Sequence, residues 1–313
     1  MTSTYLVIGG AGFIGSRLTS QLCDQGASVL VIDDLSFGHQ SLVDPRATFF
    51  NAPMTSISTL LPANIQLDAI FLLAARSIIS HSYHDPASYI QTNIHDTITV
   101  LEFFRHQHTA PIIFSSSASV YGVPKVTPTP ETASKEPLTV YGATKSAVEE
   151  VMCAYSAAFG MNTVCLRYFN AYGPNDLQQP VTRAVPRWIQ AAIKRSPITL
   201  NWGGRQTRDY VFVDDIVQAH LACINLRGHH RFNIGSGVGH TMLTIMQSIL
   251  SHFPYELQIL DLGPRVGDPG TLVADTSLIR QVVGWEPSTS LNQGIASTIA
   301  FYRATEARWG TTH

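Results

Sequence analysis

The sequence predicts an α/β fold, a doubly wound parallel sheet with a smaller C-terminal domain. In the first half of the chain, short apolar runs of the kind that form buried strands alternate with segments of helical spacing. A glycine-rich turn, Gly9 to Gly15, joins the first such run to the first helical segment. Strands that are apolar throughout are typical of a parallel sheet covered by helices on both faces.

The predicted elements follow one another in order. After Asn170 the chain becomes richer in proline, and we expect one domain over residues 1–170, with segments near 211–238 returning to it, and a second domain mainly over 171–313. The expected strands are Tyr5–Ile8, Ser28–Ile32, Ala69–Leu73, Pro111–Phe114, Thr163–Arg167 and Phe232–Ile234. The expected helices are Phe13–Gln25, Ser88–His106, Thr139–Phe159 and Thr244–His252, and Pro264 to Pro269 is expected to be a loop.

Composition excludes several classes of protein. Of 313 residues, 45% are hydrophobic and 13% charged, which is too apolar for a disordered chain. The net charge of -2 gives no overall attraction to nucleic acid or anionic lipid, and no run reaches the ~18 apolar residues of a membrane span. The four cysteines form no C-x-x-C pair, and no carboxylate or cysteine cluster accompanies the histidines. We therefore expect a cytoplasmic protein with no metal site, no nucleic-acid partner and no membrane partner.

The glycine turn predicts a dinucleotide site of the Rossmann type. Gly9 permits a tight turn, Gly12 lets the backbone approach a pyrophosphate, and Gly15 allows close packing of helix on strand. The N-terminus of the following helix offers unpaired N–H groups and partial positive charge to the phosphates. Asp33 lies 18 residues after Gly15, where a carboxylate accepts hydrogen bonds from ribose hydroxyls and repels a 2′-phosphate. The sequence therefore favours NAD over NADP.

Tyr141 and Lys145 form a candidate catalytic pair. Their spacing places both on one face of a helix, one turn apart. A tyrosine has a pKa of about 10 and is a poor base, but a nearby ammonium and a positive nicotinamide ring would favour its phenolate. Ser115 to Ser117 follow a predicted strand, at the edge where parallel sheets bind ligands, and a hydroxyl there can relay a proton. Alone, these patterns are equally typical of a solvated helix face and a polar turn.

Several segments together resemble one family, the extended short-chain dehydrogenases/reductases that act as NAD-dependent nucleotide-sugar epimerases and dehydratases. The resemblance spans nearly the whole chain, in order. It is carried by Gly9 to Gly15, Ser115 to Gly122, Tyr141 to Lys145, Leu166 to Pro174, Arg208 to Asp215, Phe232 to Gly237, Arg265 to Asp275 and Gly284 to Pro287.

The resemblance implies a reaction. Dehydratases of the family carry an Asp-Glu pair at the positions of Ala118 and Ser119, and decarboxylases a Glu at the second, so this chain is most similar to the 4-epimerases. The implied activity is 4-epimerisation of a nucleotide-diphosphate sugar of the UDP-glucose/UDP-galactose type through a 4-keto intermediate. Tyr141 would take the proton of the 4-hydroxyl, Ser117 would relay it, and Lys145 would keep the pKa of Tyr141 low. NAD would be regenerated in each turnover.

The resemblance also implies binding residues and partners. A homodimer is expected, pairing the helices near Ser88–His106 and Thr139–Phe159. The implied cofactor contacts are Gly9, Gly12, Phe13, Ile14, Gly15, Asp33, Leu35, Ser36, Ala74, Ala75, Asn93, Ser115, Tyr141, Lys145 and Tyr168. The implied substrate contacts are Ser117, Asn170, Arg208, Arg265 and Asp268, of which Asn170 and the two arginines would hold the diphosphate.

Departures from the family pattern keep alternatives open. Ala52-Pro53-Met54 replaces the usual adenine-binding Gly-Asp, and Ser77 replaces a lysine near the cofactor. The segments that shape the sugar pocket are short. UDP-glucuronate or UDP-N-acetylglucosamine 4-epimerisation, decarboxylation, dehydration or ketone reduction on the same fold remain alternatives. A non-catalytic NAD sensor is disfavoured because Tyr141 and Lys145 are both present.

Overall fold

A computed structural model describes residues 2–106, 110–263 and 269–309. Its main feature is a seven-stranded sheet in which every paired strand is parallel, in the order β10-β6-β5-β4-β1-β2-β3. The strands of this sheet are β1 Thr4–Ile8, β2 Ser28–Asp33, β3 Thr48–Asn51, β4 Ala69–Leu72, β5 Ile112–Ser117, β6 Thr163–Tyr168 and β10 His229–Ile234. The predicted fold class is confirmed.

Helices cover both faces of this sheet because successive strand residues point to opposite sides. One face packs Val7 and Val31 against Leu18 and Ile216 from two helices, while the other packs Leu6 with side chains of two further helices. The helices are α1 Phe13–Asp24, α2 Ile57–Leu60, α3 Ile79–His84, α4 Pro86–Ile90, α5 Thr97–Phe104, α6 Val140–Phe159, α7 Ala184–Ile193, α8 Val213–Ala222, α9 Met242–Leu250, α10 Ser277–Val283 and α11 Leu291–Trp309.

A second group of elements packs around its own core beyond the carboxyl edge of the sheet. Trp188 of α7, Ile245 of α9 and Ile295 of α11 are buried together there. β9 pairs with β7, β11 and β13, and β8 pairs with β12. These strands are β7 Asn170–Tyr172, β8 Ile198–Leu200, β9 Thr207–Phe212, β11 Gly239–Thr241, β12 Ile259–Asp261 and β13 Thr271–Leu272.

The structure differs from the predicted elements in three places. The helix expected over Ser88–His106 consists of α4, a π-helical segment Gln91–Asp96 and α5, because a local widening of the helix interrupts it. The strand expected to end at Phe114 continues through the serines to Ser117, which hydropathy alone could not indicate. Sequence analysis missed β3, a short edge strand whose residues are half-buried or exposed.

Candidate active site

A cavity of about 790 Å³ lies at the carboxyl edge of the parallel sheet, facing the second group of elements. β1 is flanked there by β2 on one side and β4 on the other, so the chain leaves β1 at the point where strand order reverses. Ligands bind at such switch points in open α/β sheets. The cavity is lined from the sheet by Gly9, Asp33, Ala74, Ser115, Ser117 and Tyr168, and from the other side by Trp188, Leu200, Arg208 and Tyr210.

The glycine turn connects β1 to α1 and can only be built from glycine at two positions. Gly9 has a φ of +91°, and a Cβ there would lie 2.5 Å from the backbone nitrogen of Ala74. A Cβ on Gly15 would lie 2.1 Å from the carbonyl oxygen of Gly9. Gly12 caps α1 without any side-chain hydrogen bond, so the first N–H groups of the helix are left for a ligand. This cradle fits a dinucleotide pyrophosphate.

Asp33 ends β2 beside that turn. Its carboxylate oxygens accept hydrogen bonds from the backbone N–H of Ala11 and of Leu35, both at 2.9 Å. Burial raises the pKa of Asp33, and these two bonds oppose the rise. A carboxylate can accept further bonds, so Asp33 still offers acceptors to ribose hydroxyls at the cavity wall.

The remaining expected cofactor residues divide into two groups. Phe13, Ile14, Ser36, Ala74 and Ala75 line the cavity, and so do Ala52, Pro53 and Met54, which follow β3. Leu35 and Asn93 do not line the cavity, and their contact with a cofactor stays a prediction. Leu35 contributes a backbone donor to Asp33. Asn93 is fully buried, and its amide bonds the backbone N–H and C=O of Arg76 at 2.8 and 3.0 Å.

The structure brings Ser117, Tyr141 and Lys145 to one wall of the cavity. Helix α6 begins where Thr139 caps it, its Oγ1 accepting a 2.9 Å bond from the N–H of Gly142. The Nζ of Lys145 donates to the carbonyl of Ser115 at 2.7 Å and lies 4.5 Å from the centre of the Phe114 ring. The helix cap and this bond fix α6 against β5, so the expected catalytic residues share one site.

Burial acts against the charged forms of Tyr141 and Lys145. It raises the pKa of Tyr141, while a hydrogen bond with Ser117 and the charge of Arg183 act to lower it. Burial lowers the pKa of Lys145 to about 7. Desolvation thus penalises both charged forms in the protein alone, and the effect expected of Lys145 and a bound nicotinamide on Tyr141 stays a prediction.

Lys145 gives a testable dependence of stability on pH. Between pH 7 and 10.5 the folded lysine holds fewer protons than the unfolded one, so stability rises with pH across this window. We expect the unfolding free energy of the wild type, minus that of Lys145→Met, to increase by about 1.4 kcal/mol per pH unit from about pH 7.5 to 9. Urea denaturation at several pH values measures it. Lys125→Met, at a side chain that is 79% exposed, is the control, and parallel curves for both variants would refute the prediction.

Besides Ser117, two of the expected substrate residues lie in the described part of the cavity. The Nδ2 of Asn170, which lines the cavity, donates to the carbonyl of Asp209 at 3.0 Å. Arg208 is nearly buried at the start of β9, and one of its guanidinium nitrogens donates to the carbonyl of Thr207. Arg265 and Asp268 lie outside the described residues.

Among the cavity residues that sequence analysis missed are Phe37, Arg76 and Arg183. The guanidinium of Arg183 pairs with Asp176 and lies 5.5 Å from the centre of the Phe13 ring. It thereby places a positive charge beside the start of α1 and close enough to Tyr141 to influence its pKa. These residues belong to none of the motif spacings found in the sequence, so no local pattern indicated them.

The described residues show two further features. No group of three histidine, cysteine or acidic residues among them could hold a metal ion. None of their helices combines the length and the hydropathy that crossing a bilayer requires.

Comparison with known proteins gives a consistent result. The model of the NAD-dependent epimerase/dehydratase family matches residues 5–235. A UDP-glucose 4-epimerase of Lacticaseibacillus casei is 35% identical over 305 residues, covering 91% of this chain and 92% of the relative. The structure of a UDP-glucose 4-epimerase from Thermotoga maritima with UDP-glucose superposes with a TM-score of 0.90 at 30% identity, over 96% of this chain and 99% of the other. That from Brucella ovis with NAD has a TM-score of 0.90 at 31% identity, over 96% and 98%.

Proposed function

Because the chain belongs to the NAD-dependent epimerase/dehydratase family, we propose that it catalyses the 4-epimerisation of a UDP-sugar of the UDP-glucose/UDP-galactose type. The observation that carries this proposal is the wall formed by Ser117, Tyr141 and Lys145 beside the glycine turn. The two residues that follow Ser117 are Ala118 and Ser119, and neither is acidic. The acid and base needed for elimination or decarboxylation are therefore not supplied there. The 4-epimerases named above support the same choice.

Each residue has a defined part in the proposed mechanism. Bound NAD supplies the oxidation and reduction at carbon 4 that inversion requires. Tyr141, as its phenolate, accepts the proton of the 4-hydroxyl and later returns it, and the hydrogen bond between Ser117 and Tyr141 orients the tyrosine oxygen. Lys145, held on the carbonyl of Ser115, supplies positive charge that favours this phenolate form.

The substrate diphosphate is proposed to bind at the opposite wall. Arg208 offers a planar guanidinium suited to two phosphate oxygens, and the segment containing Arg265 and Asp268 is proposed to complete this site. Residues 171–313 would thus mainly bind substrate and residues 1–170 mainly bind NAD. The sugar lies between them, within reach of Tyr141.

A panel of nucleotide sugars tests the proposal. UDP-glucose, UDP-galactose, UDP-glucuronate and UDP-N-acetylglucosamine are incubated with the purified enzyme without added cofactor and followed by NMR. We expect UDP-glucose and UDP-galactose to interconvert, because retained NAD is regenerated in each turnover. Conversion of only UDP-glucuronate or UDP-N-acetylglucosamine would change the proposed substrate. Release of carbon dioxide or water, or consumption of external NADH, would contradict epimerisation.

Quaternary structure and location belong to the same proposal. A homodimer is proposed through the α4–α5 segment and α6, which expose the apolar side chains of Ile90 and Phe159. Sedimentation analysis tests it, and a monomeric active enzyme would contradict it.

We also propose a cytoplasmic location, which suits four free cysteines and is tested by cell fractionation.

A further inference from the structure

Two loops at the carboxyl edge of the sheet touch each other. The guanidinium of Arg76, which follows β4, lies 5.5 Å from the centre of the ring of Phe37, which follows β2. In the sheet, β1 lies between β4 and β2. A contact between the outer two loops therefore spans the glycine turn that follows β1. Both side chains line the cavity.

Both loops lie directly on the glycine turn. On the β2 side, the N–H of His39 donates to the carbonyl of Ala11 at 2.9 Å. On the β4 side, the backbone nitrogen of Ala74 lies where a Cβ on Gly9 would clash with it. The contact between Arg76 and Phe37 thus joins two segments that are each fixed to the turn. The contact therefore has a defined position relative to the turn.

Arg76 is held in place through its backbone. Asn93 bonds its N–H and C=O, and its Nε makes one long bond of 3.4 Å to Thr92. Among the described residues, no carboxylate forms an ion pair with Arg76. By contrast, Arg17 of α1 is committed to Asp214 through two bonds of 2.7 and 2.8 Å. Arg76 therefore has guanidinium donors to give to an anion on the turn.

We propose that Arg76 donates to the pyrophosphate of the bound dinucleotide and that Phe37 holds its guanidinium plane across the turn. This inference rests on the proposed function, which places NAD at the same turn. An arginine can bind two phosphate oxygens at once, and an aromatic face stabilises its cation. The pair is a cofactor-retaining contact that links the loops on both sides of the pyrophosphate.

The experiment compares Arg76→Met with the wild type in NADH titrations followed by fluorescence, and in the NAD content of the purified protein. Charge-assisted hydrogen bonds of this kind predict a rise in the Kd for NADH of about ten- to hundredfold. ADP-ribose, which keeps the pyrophosphate, should lose affinity to the same extent, whereas adenosine should not. Arg280→Met removes an exposed arginine of α10, paired with Glu286, and should leave every Kd unchanged.

The outcomes separate this inference from the proposed function. If the purified wild type contains no NAD and does not bind NADH, the proposed function fails. If the wild type binds NADH and Arg76→Met binds it equally well, the inference alone is overturned. Equal losses for adenosine and ADP-ribose would place Arg76 on the nucleoside and also overturn it. If Arg76→Met does not fold, Phe37→Leu tests the inference instead. This variant is expected to raise the Kd for NADH several-fold, and an unchanged Kd would overturn the inference.

Discussion

Replacing Tyr141 by phenylalanine is expected to reduce the kcat of epimerisation by about 10²- to 10⁴-fold, the usual contribution of a positioned acid–base group. The ring and its packing are kept, and only the hydroxyl that receives the proton is lost. Tyr141 lines the cavity and shares a hydrogen bond with Ser117. The variant should fold and keep its NAD, because neither the glycine turn nor Asp33 is altered.

The measurement is steady-state kinetics on UDP-galactose together with the NAD content of each protein. Tyr155→Phe is the matched control, since Tyr155 lies on the same helix and its hydroxyl donates to Glu102 at the protein surface. This variant should retain the wild-type rate. If Tyr141→Phe also turned over at that rate, Tyr141 would have no part in the proton transfer and the proposed mechanism would be wrong.

Replacing Glu149 by glutamine is expected to lower the free energy of unfolding by about 3–5 kcal/mol, because it leaves a buried guanidinium without its counter-charge. Glu149 and Arg167 are 0% and 1% exposed and form two hydrogen bonds of 2.7 and 2.9 Å. Ser116 donates to the same carboxylate at 2.6 Å. Burial raises the pKa of Glu149, but these bonds outweigh it and the net shift is downward.

Urea denaturation measures the loss, and two further variants interpret it. Glu136→Gln removes an exposed carboxylate paired with Lys125 and should cost about 0–1 kcal/mol. The double variant Glu149→Leu/Arg167→Met removes both buried charges and should recover most of the stability. If Glu149→Gln cost no more than Glu136→Gln, the buried pair would not stabilise the fold as argued.

The two predictions concern adjacent parts of one structure. Glu149 lies one turn beyond Lys145 on α6, and Ser116 lies between Ser115 and Ser117 on β5. The bond from Ser116 to Glu149 therefore fixes the catalytic helix to the strand that carries the serines, and the pair with Arg167 fixes it to β6. Loss of stability in Glu149→Gln and loss of rate in Tyr141→Phe are nevertheless separable, because the first is measured by unfolding and the second by turnover.

The sequence by itself determined the features that depend on local spacing. A strand, a glycine turn and a helix within 25 residues identify the dinucleotide cradle, and the interval from Tyr141 to Lys145 places both on one helical face. Continuous apolar runs identify parallel strands covered on both sides. These patterns are readable because helices and strands repeat over a few residues.

Only the tertiary structure decided which distant segments meet. Strand order brings Phe37 to Arg76 across the glycine turn, and the fold places Asn93 where it holds the Arg76 backbone. Burial, which depends on the whole fold, lowers the pKa of Lys145 and raises that of Tyr141. Neither pairing across the sheet nor desolvation is a property of local sequence, so neither could be derived from spacing.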